Sequence, residues 1–144
     1  MSTRFLTISK AVEAVLQEGA PVAGLVERNR SRVLASNVRT AVVVRQGQAK
    51  VDQVAGRVQA APWLTSIQID CYGRASVDLA ADEVVDGLLQ LVQRRLGLDL
   101  TLGGAVGGLA LQGITWDFDV DGDSTACATA TYYARHSASA ADLT

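Results

Sequence analysis

The stretch from Trp63 to Gly97 constrains the fold most, because a strand pattern in it passes directly into a helix pattern. In WLTSIQIDCYGRASVDLAADEVVDGLLQLVQRRLG the first part alternates. Trp63, Thr65, Ile67, Ile69 and Cys71 share one face, and Leu64, Ser66, Gln68, Asp70 and Tyr72 the other. After Gly73-Arg74 the period becomes helical, with Val77, Ala81, Val84, Leu88, Leu91/Val92 and Leu96 as one apolar stripe. Ser76 or Asp78 is the expected cap. Asp78, Asp82 and Glu83 complement the positive end of the helix dipole, and Arg94 and Arg95 the negative end. Gly97 is expected to stop the helix in the left-handed conformation. A strand half-buried under such a helix needs a sheet with one covered face.

The rest of the chain supplies the partners. A first helix is expected from Thr7 to Glu18, capped by Thr7 or Ser9, with Ile8, Ala11, Val12, Val15 and Leu16 inward and Gly19 and Pro21 as its stop. Val22 to Asn29 and the arginine-bearing run to Leu34 read as short extended segments, and TAVVVRQ from Thr40 as a covered strand. Gly47 to Pro62 reads as a long hairpin loop or two twisted edge strands, and the glycine-rich run Leu98 to Gly113 as loop-like backbone, with or without a short edge strand, in which Gly103 to Gly108 is a flexible connection. The chain closes on a hairpin. Ile114, Trp116, Phe118 and Val120 form its expected core face, Asp121-Gly122-Asp123 its turn, and Ser124 to Arg135 its return strand. At 144 residues this is one domain, expected over 1–135, with 136–144 fraying. Strands in groups beside two amphipathic helices predict an α+β fold. Its sheet is mostly antiparallel, with both helices on one face.

Chemistry is harder to find than architecture. DFDVDGD at Asp117 to Asp123 matches half of a calcium-loop pattern, but Ala128 stands where the bidentate glutamate is required. Gly103 to Gly108 lacks the lysine of a phosphate loop and the strand–helix context of a dinucleotide site. Cys71 and Cys127 read as reduced core thiols, and His136, on the expected tail, has nothing to orient it. The residues therefore predict neither enzyme activity nor a cofactor or metal. The expected context is cytosolic, without a signal peptide or membrane span.

Charge is the informative quantity. The formal net charge is −2, but residues 28–57 carry seven cations against Asp52 alone, while residues 78–123 carry nine acids against Arg94 and Arg95. The basic stretch has no aromatic residue for stacking on bases. Segregated fields of this kind suit a head-to-tail contact between copies better than a nucleic-acid site.

An N-terminal amphipathic helix (Ile8–Glu18), a strand, Gly73-Arg74-Ala75 opening a long helix, a loop, Gly113-Ile114-Thr115-Trp116-Asp117-Phe118, an acidic Asp-Gly turn and a last strand (Thr125–Arg135) follow in order. This series resembles the tail terminator, or tail-completion, proteins of long-tailed phages. The resemblance is one of pattern, over residues 5–135. It implies a structural virion protein, assembled in the host cytoplasm and placed in the tail. Such a protein caps the tail tube as a hexameric ring, stops its polymerisation and joins it to the head. The implied partners are copies of itself, the major tail tube protein and a neck or head-completion protein, with DNA only as passing cargo. In such a ring Arg28, Arg30, Arg32 and Arg45 are expected to face Asp82, Glu83 or Asp86 of the neighbour. Gly47, Lys50, Arg57, Gly103 and Gly107 are expected on loops that order on docking. The competing readings are a neck or head-closure protein of the same particle, and a small nucleic-acid-binding protein using the basic stretch.

Overall fold

In the computed structural model, residues 2–29, 37–52, 60–118 and 124–144 are described. Their elements are α1 (Arg4–Gln17), β1 (Leu25–Arg28), β2 (Thr40–Val51), β3 (Ala60–Arg74), α2 (Ala81–Gly97), β4 (Gly108–Phe118) and β5 (Thr125–Ser139). The strands form one sheet in the order β1-β2-β3-β5-β4. The β1–β2 pair is parallel and the other pairs antiparallel. The fold is α+β.

Period-two alternation decides which face is covered. Cross-strand partners place Val42 and Val44 of β2 in line with Cys71 and Ile69 of β3, and these with Ala128 and Ala130 of β5. This face packs with Ile8, Val12 and Leu16 of α1 and Leu88, Val92 and Leu96 of α2 in one apolar cluster, so both helices lie on it. The two helices are also tied to each other. The Arg95 guanidinium of α2 donates to the carbonyls of Val15, Glu18 and Ala20 at 3.0, 2.7 and 2.7 Å, satisfying acceptors that the end of α1 leaves open. Gly19, at φ 63°, then turns the chain away. The opposite face carries a polar chain in which Arg45 grips Asp70 through two hydrogen bonds, 2.6 and 2.9 Å, and Thr129 donates to Asp70 at 2.7 Å. Asp70 is only 3% exposed, and the bidentate pairing keeps its charge tolerable there.

Several boundaries differ from expectation, each for a visible reason. α1 starts at Arg4, where the Thr3 hydroxyl accepts from the Leu6 amide, rather than at Thr7. β3 runs to Arg74 because Gly73 and Arg74 still pair with β5. Ser76 closes a turn with Leu79 instead of capping α2. The Glu83 carboxylate takes the capping role, accepting from the Ala80 amide at 3.0 Å. Val77 is therefore solvent-exposed, and the buried stripe of α2 is Val85, Leu88, Val92 and Leu96. Gly97 ends α2 without a positive φ; the left-handed residues come later, at Leu102, Gly103 and Gly104.

The run read as a flexible connection is a fastened turn. Asp99 accepts from the Thr101 and Gly103 amides at 3.0 and 2.8 Å, Leu102 and Val106 are buried, and the Gly107 amide donates to the Arg135 carbonyl at 2.7 Å. The Thr101 hydroxyl, donating at 2.6 Å, and then the Gly103 and Thr101 amides hold the Asp99 carboxyl below the usual carboxylate range. The expected tail is also ordered: β5 continues to Ser139, pairing with Ala60, and His136 is only 9% exposed.

Candidate docking groove

The residues of β5 that face the helices at its first half are small: Ala126, Ala128 and Ala130. Small side chains let a helix approach closely. Val85 of α2 packs directly on Ala126 and Ala128. In the next strand inward, Gly73 makes room as well, since a Cβ there would lie 2.7 Å from Val84 Cγ1 and 3.0 Å from Val85 Cγ2. α2 thus settles over β3 and β5, and the outermost strand, β4, lies beside the helix rather than beneath it.

β4 keeps a continuous apolar face despite a break in its alternation. Leu111 pairs with Tyr132 and Gly113 with Thr131, so one extra residue, Gln112, is accommodated in a β-bulge. Leu109 and Leu111 before the bulge, and Ile114, Trp116 and Phe118 after it, all fall on the helix side of the sheet. The expectation that Trp116 and Phe118 are core residues fails here. They are 55% and 56% exposed, because the helix that should cover them is seated one strand further in.

The result is an open hollow of about 550 Å³ between the first turns of α2 and the end of β4, lined by Asp82, Glu83, Asp86, Trp116 and Phe118. A second hollow continues it along the helix, sharing Asp86 and Trp116 and reaching Arg94 and Leu111. The groove has an aromatic floor at the sheet edge and an acidic wall on the helix. Glu83 and Asp82 already serve the helix start, Glu83 through Ala80 and Asp82 by accepting from the Glu83 amide at 2.9 Å. β4 is the last strand of the sheet, so its outer backbone edge has no strand partner among the described residues. Exposed aromatic surface on an open edge, rimmed by charge, is the signature of a docking surface.

The anticipated interface residues fall in different places. Asp82, Glu83 and Asp86 stand together on the groove wall. Arg28 is bound to Glu13 within the chain at 3.0 Å, and Arg45 to Asp70. Arg30, Arg32 and Arg57 lie outside the described residues, as do Val120 and the turn Asp121-Gly122-Asp123. Gly47 and Lys50 are in β2 rather than a loop. At Gly47 a second bulge lets the Ser66 hydroxyl occupy the space a side chain would need and accept from the Gln48 amide at 2.7 Å. Gly103 and Gly107 belong to the fastened turn. The grooved edge itself was legible only as alternation in Ile114 to Phe118, a pattern that does not say whether a helix lies above it.

No group of three or more metal-ligating side chains comes together among the described residues, and no helix among them is long and apolar enough to cross a membrane. Burial pushes the Cys71 and Cys127 thiols up to about 12 and about 11, with Asp70 adding to the effect, so both are protonated and unreactive at neutral pH. His136, expected to be loose, is held by Thr65 at 2.6 Å and by the Ser137 carbonyl at 3.2 Å, with the Phe5 ring edge-on to it. A carbonyl only accepts, so Nδ1 carries the proton and Nε2 accepts from the Thr65 hydroxyl.

No family model matches the chain, and no curated protein matches it. Among solved structures, it is similar to a chain from the virion of a native gene transfer agent particle. That chain is 16% identical, the TM-score is 0.60, and the match covers 90% of this chain and 94% of that one. At this identity the likeness is one of fold, and it extends over nearly the whole of both chains.

Proposed function

We propose that the protein is a structural component of a phage-like virion and works as a tail terminator: a ring of copies, a hexamer, that caps the tail tube and joins it to the head. The observation that carries this reading is the open edge strand with Trp116 and Phe118 exposed beside an acidic wall, a surface that makes sense when something is docked on it. The fold shared with a chain from a gene transfer agent virion supports it, as does the order of elements that resembles tail terminators. Ring closure needs two different surfaces on one subunit; Asp82, Glu83 and Asp86 gather on one of them, and among the described cations of residues 28–57 Arg39 and Lys50 are exposed for the other. The role is one of shape and association, with the tube protein and a neck protein as partners and DNA passing through.

Sedimentation velocity of the purified protein, alone and with isolated tail tubes, tests the reading. A discrete ring species whose population falls as salt rises from about 50 mM to about 1 M is expected, because exposed charge pairs are screened over that range. Electron micrographs should show it seated on tube ends. A protein that stays monomeric under all these conditions and ignores tube ends would sink the proposal. Binding to neck proteins but never to tubes would favour a head-closure role in the same particle.

A further inference from the structure

Resting on the ring reading, we infer that the groove between α2 and β4 is filled by the β1–β2 side of a second copy, at the start of β2, with Arg39 of that copy over Trp116 and against Asp86. The argument starts from the sheet register. Phe118 pairs with Ala126, Ala126 with Gly73, and Gly73 with Thr40, so one cross-strand row runs from the end of β4 to the start of β2. Arg39 immediately precedes Thr40 and is exposed at the far side of that row, where its carbonyl accepts from the Arg74 amide. A closed ring returns to itself without a rise, so its two mating surfaces must sit at one height. In a ring whose axis runs along the strands, the groove and Arg39 meet that condition.

The other described cations of the sheet do not. Arg28, Arg45 and Arg74 are engaged within the chain, and Arg94, on α2, belongs to the groove itself. Lys50, paired with Leu64, and Arg135, in the same row, lie toward the other end of the strands, roughly 30 Å away at about 3.3 Å per residue. Chemistry selects the same residue. A guanidinium can lie flat on an exposed indole while its edge reaches a carboxylate, and Asp86 borders both hollows of the groove. The contact is heterologous, pairing the start of β2 in one copy with the groove of the next.

The test uses the full-length protein, in which both natural cysteines are buried. Two single variants, Arg39→Cys and Asp86→Cys, are oxidised separately and as a mixture. Disulfide-linked dimers that form in the mixture but in neither protein alone support the inference, because they require position 39 of one copy to lie against position 86 of another. The double variant Arg39→Cys/Asp86→Cys should then link beyond the dimer, whereas a two-fold contact would stop at dimers and overturn the head-to-tail arrangement. Trp116→Ala and Arg39→Glu, both at exposed positions, are expected to raise the concentration for half-assembly about tenfold or more with circular dichroism unchanged. Arg39→Glu combined with Asp86→Arg should restore part of the loss. Wild-type rings that persist while no cross-link forms and Trp116→Ala assembles normally would overturn this contact and leave the ring standing. If Trp116→Ala loses only tube binding, the groove takes the tube protein instead. Absence of any ring in the wild type removes the functional proposal itself.

Discussion

His136 shows how much a single position depends on its surroundings. As a letter in HSASAADLT it has no partner in sight, yet β5 carries it under α1, between Thr65 and the Phe5 ring. Burial depresses its pKa below the ordinary 6.5, with Arg4 adding to this and the Ser137 carbonyl opposing it. The unfolded chain therefore takes up this proton first as pH falls. Stability is full above about 6.5 and declines below it until the folded protein titrates too. The melting temperature should drop between pH 7 and pH 5.5 more steeply in the wild type than in His136→Gln, whose side chain does not titrate. Equal slopes in the two proteins would exclude the imidazole as the source.

At the scale of elements, the strand–helix unit from Trp63 to Gly97 was readable because its two periods are unambiguous. The inward residues Ile67, Ile69 and Cys71 of the strand and Leu88, Val92 and Leu96 of the helix emerged as expected, whereas Val77 is exposed and Val85 is buried in the stripe instead. What stayed hidden was where the helix sits. That depends on volume, through Gly73, Ala126 and Ala128, and composition alone makes these look like turn-formers or filler. Gly73→Ala should lower stability by about 1–3 kcal/mol, since the added methyl meets the branched side chains of Val84 and Val85 rather than a flexible chain end. Denaturant titration would measure this, and a neutral result would mean that α2 shifts freely. β4 was misread for a related reason: the bulge at Gln112 inverts the alternation, so a strand from Gly108 to Phe118 looked like a loop followed by a short strand. The intrachain partners of Arg28 and Arg45 were not legible because Glu13 and Asp70 are far off in sequence and close only through the sheet and α1.

For the molecule as a whole, what matters is that one margin of the sheet is finished less completely than the rest. Trp63 lies beside Phe5, whereas Trp116 faces solvent, so the two indoles report on different events. If copies close over the groove, tryptophan emission should shift to shorter wavelength as concentration rises through the assembly range, and Trp116→Phe should abolish the shift. An unchanged spectrum across that range would mean that the indole stays wet in the assembly. The same margin carries a hazard for a subunit that has not yet met its neighbours. A bare β-edge with aromatic side chains is sticky toward any extended polypeptide, itself included, and two features blunt it: the kink at Gln112 and the charge of Asp117 on the other face of the same strand. On the proposed ring reading, a particle that uses only a few such subunits would profit from making them sparingly, because a surplus with no neighbour to meet is prone to precipitate.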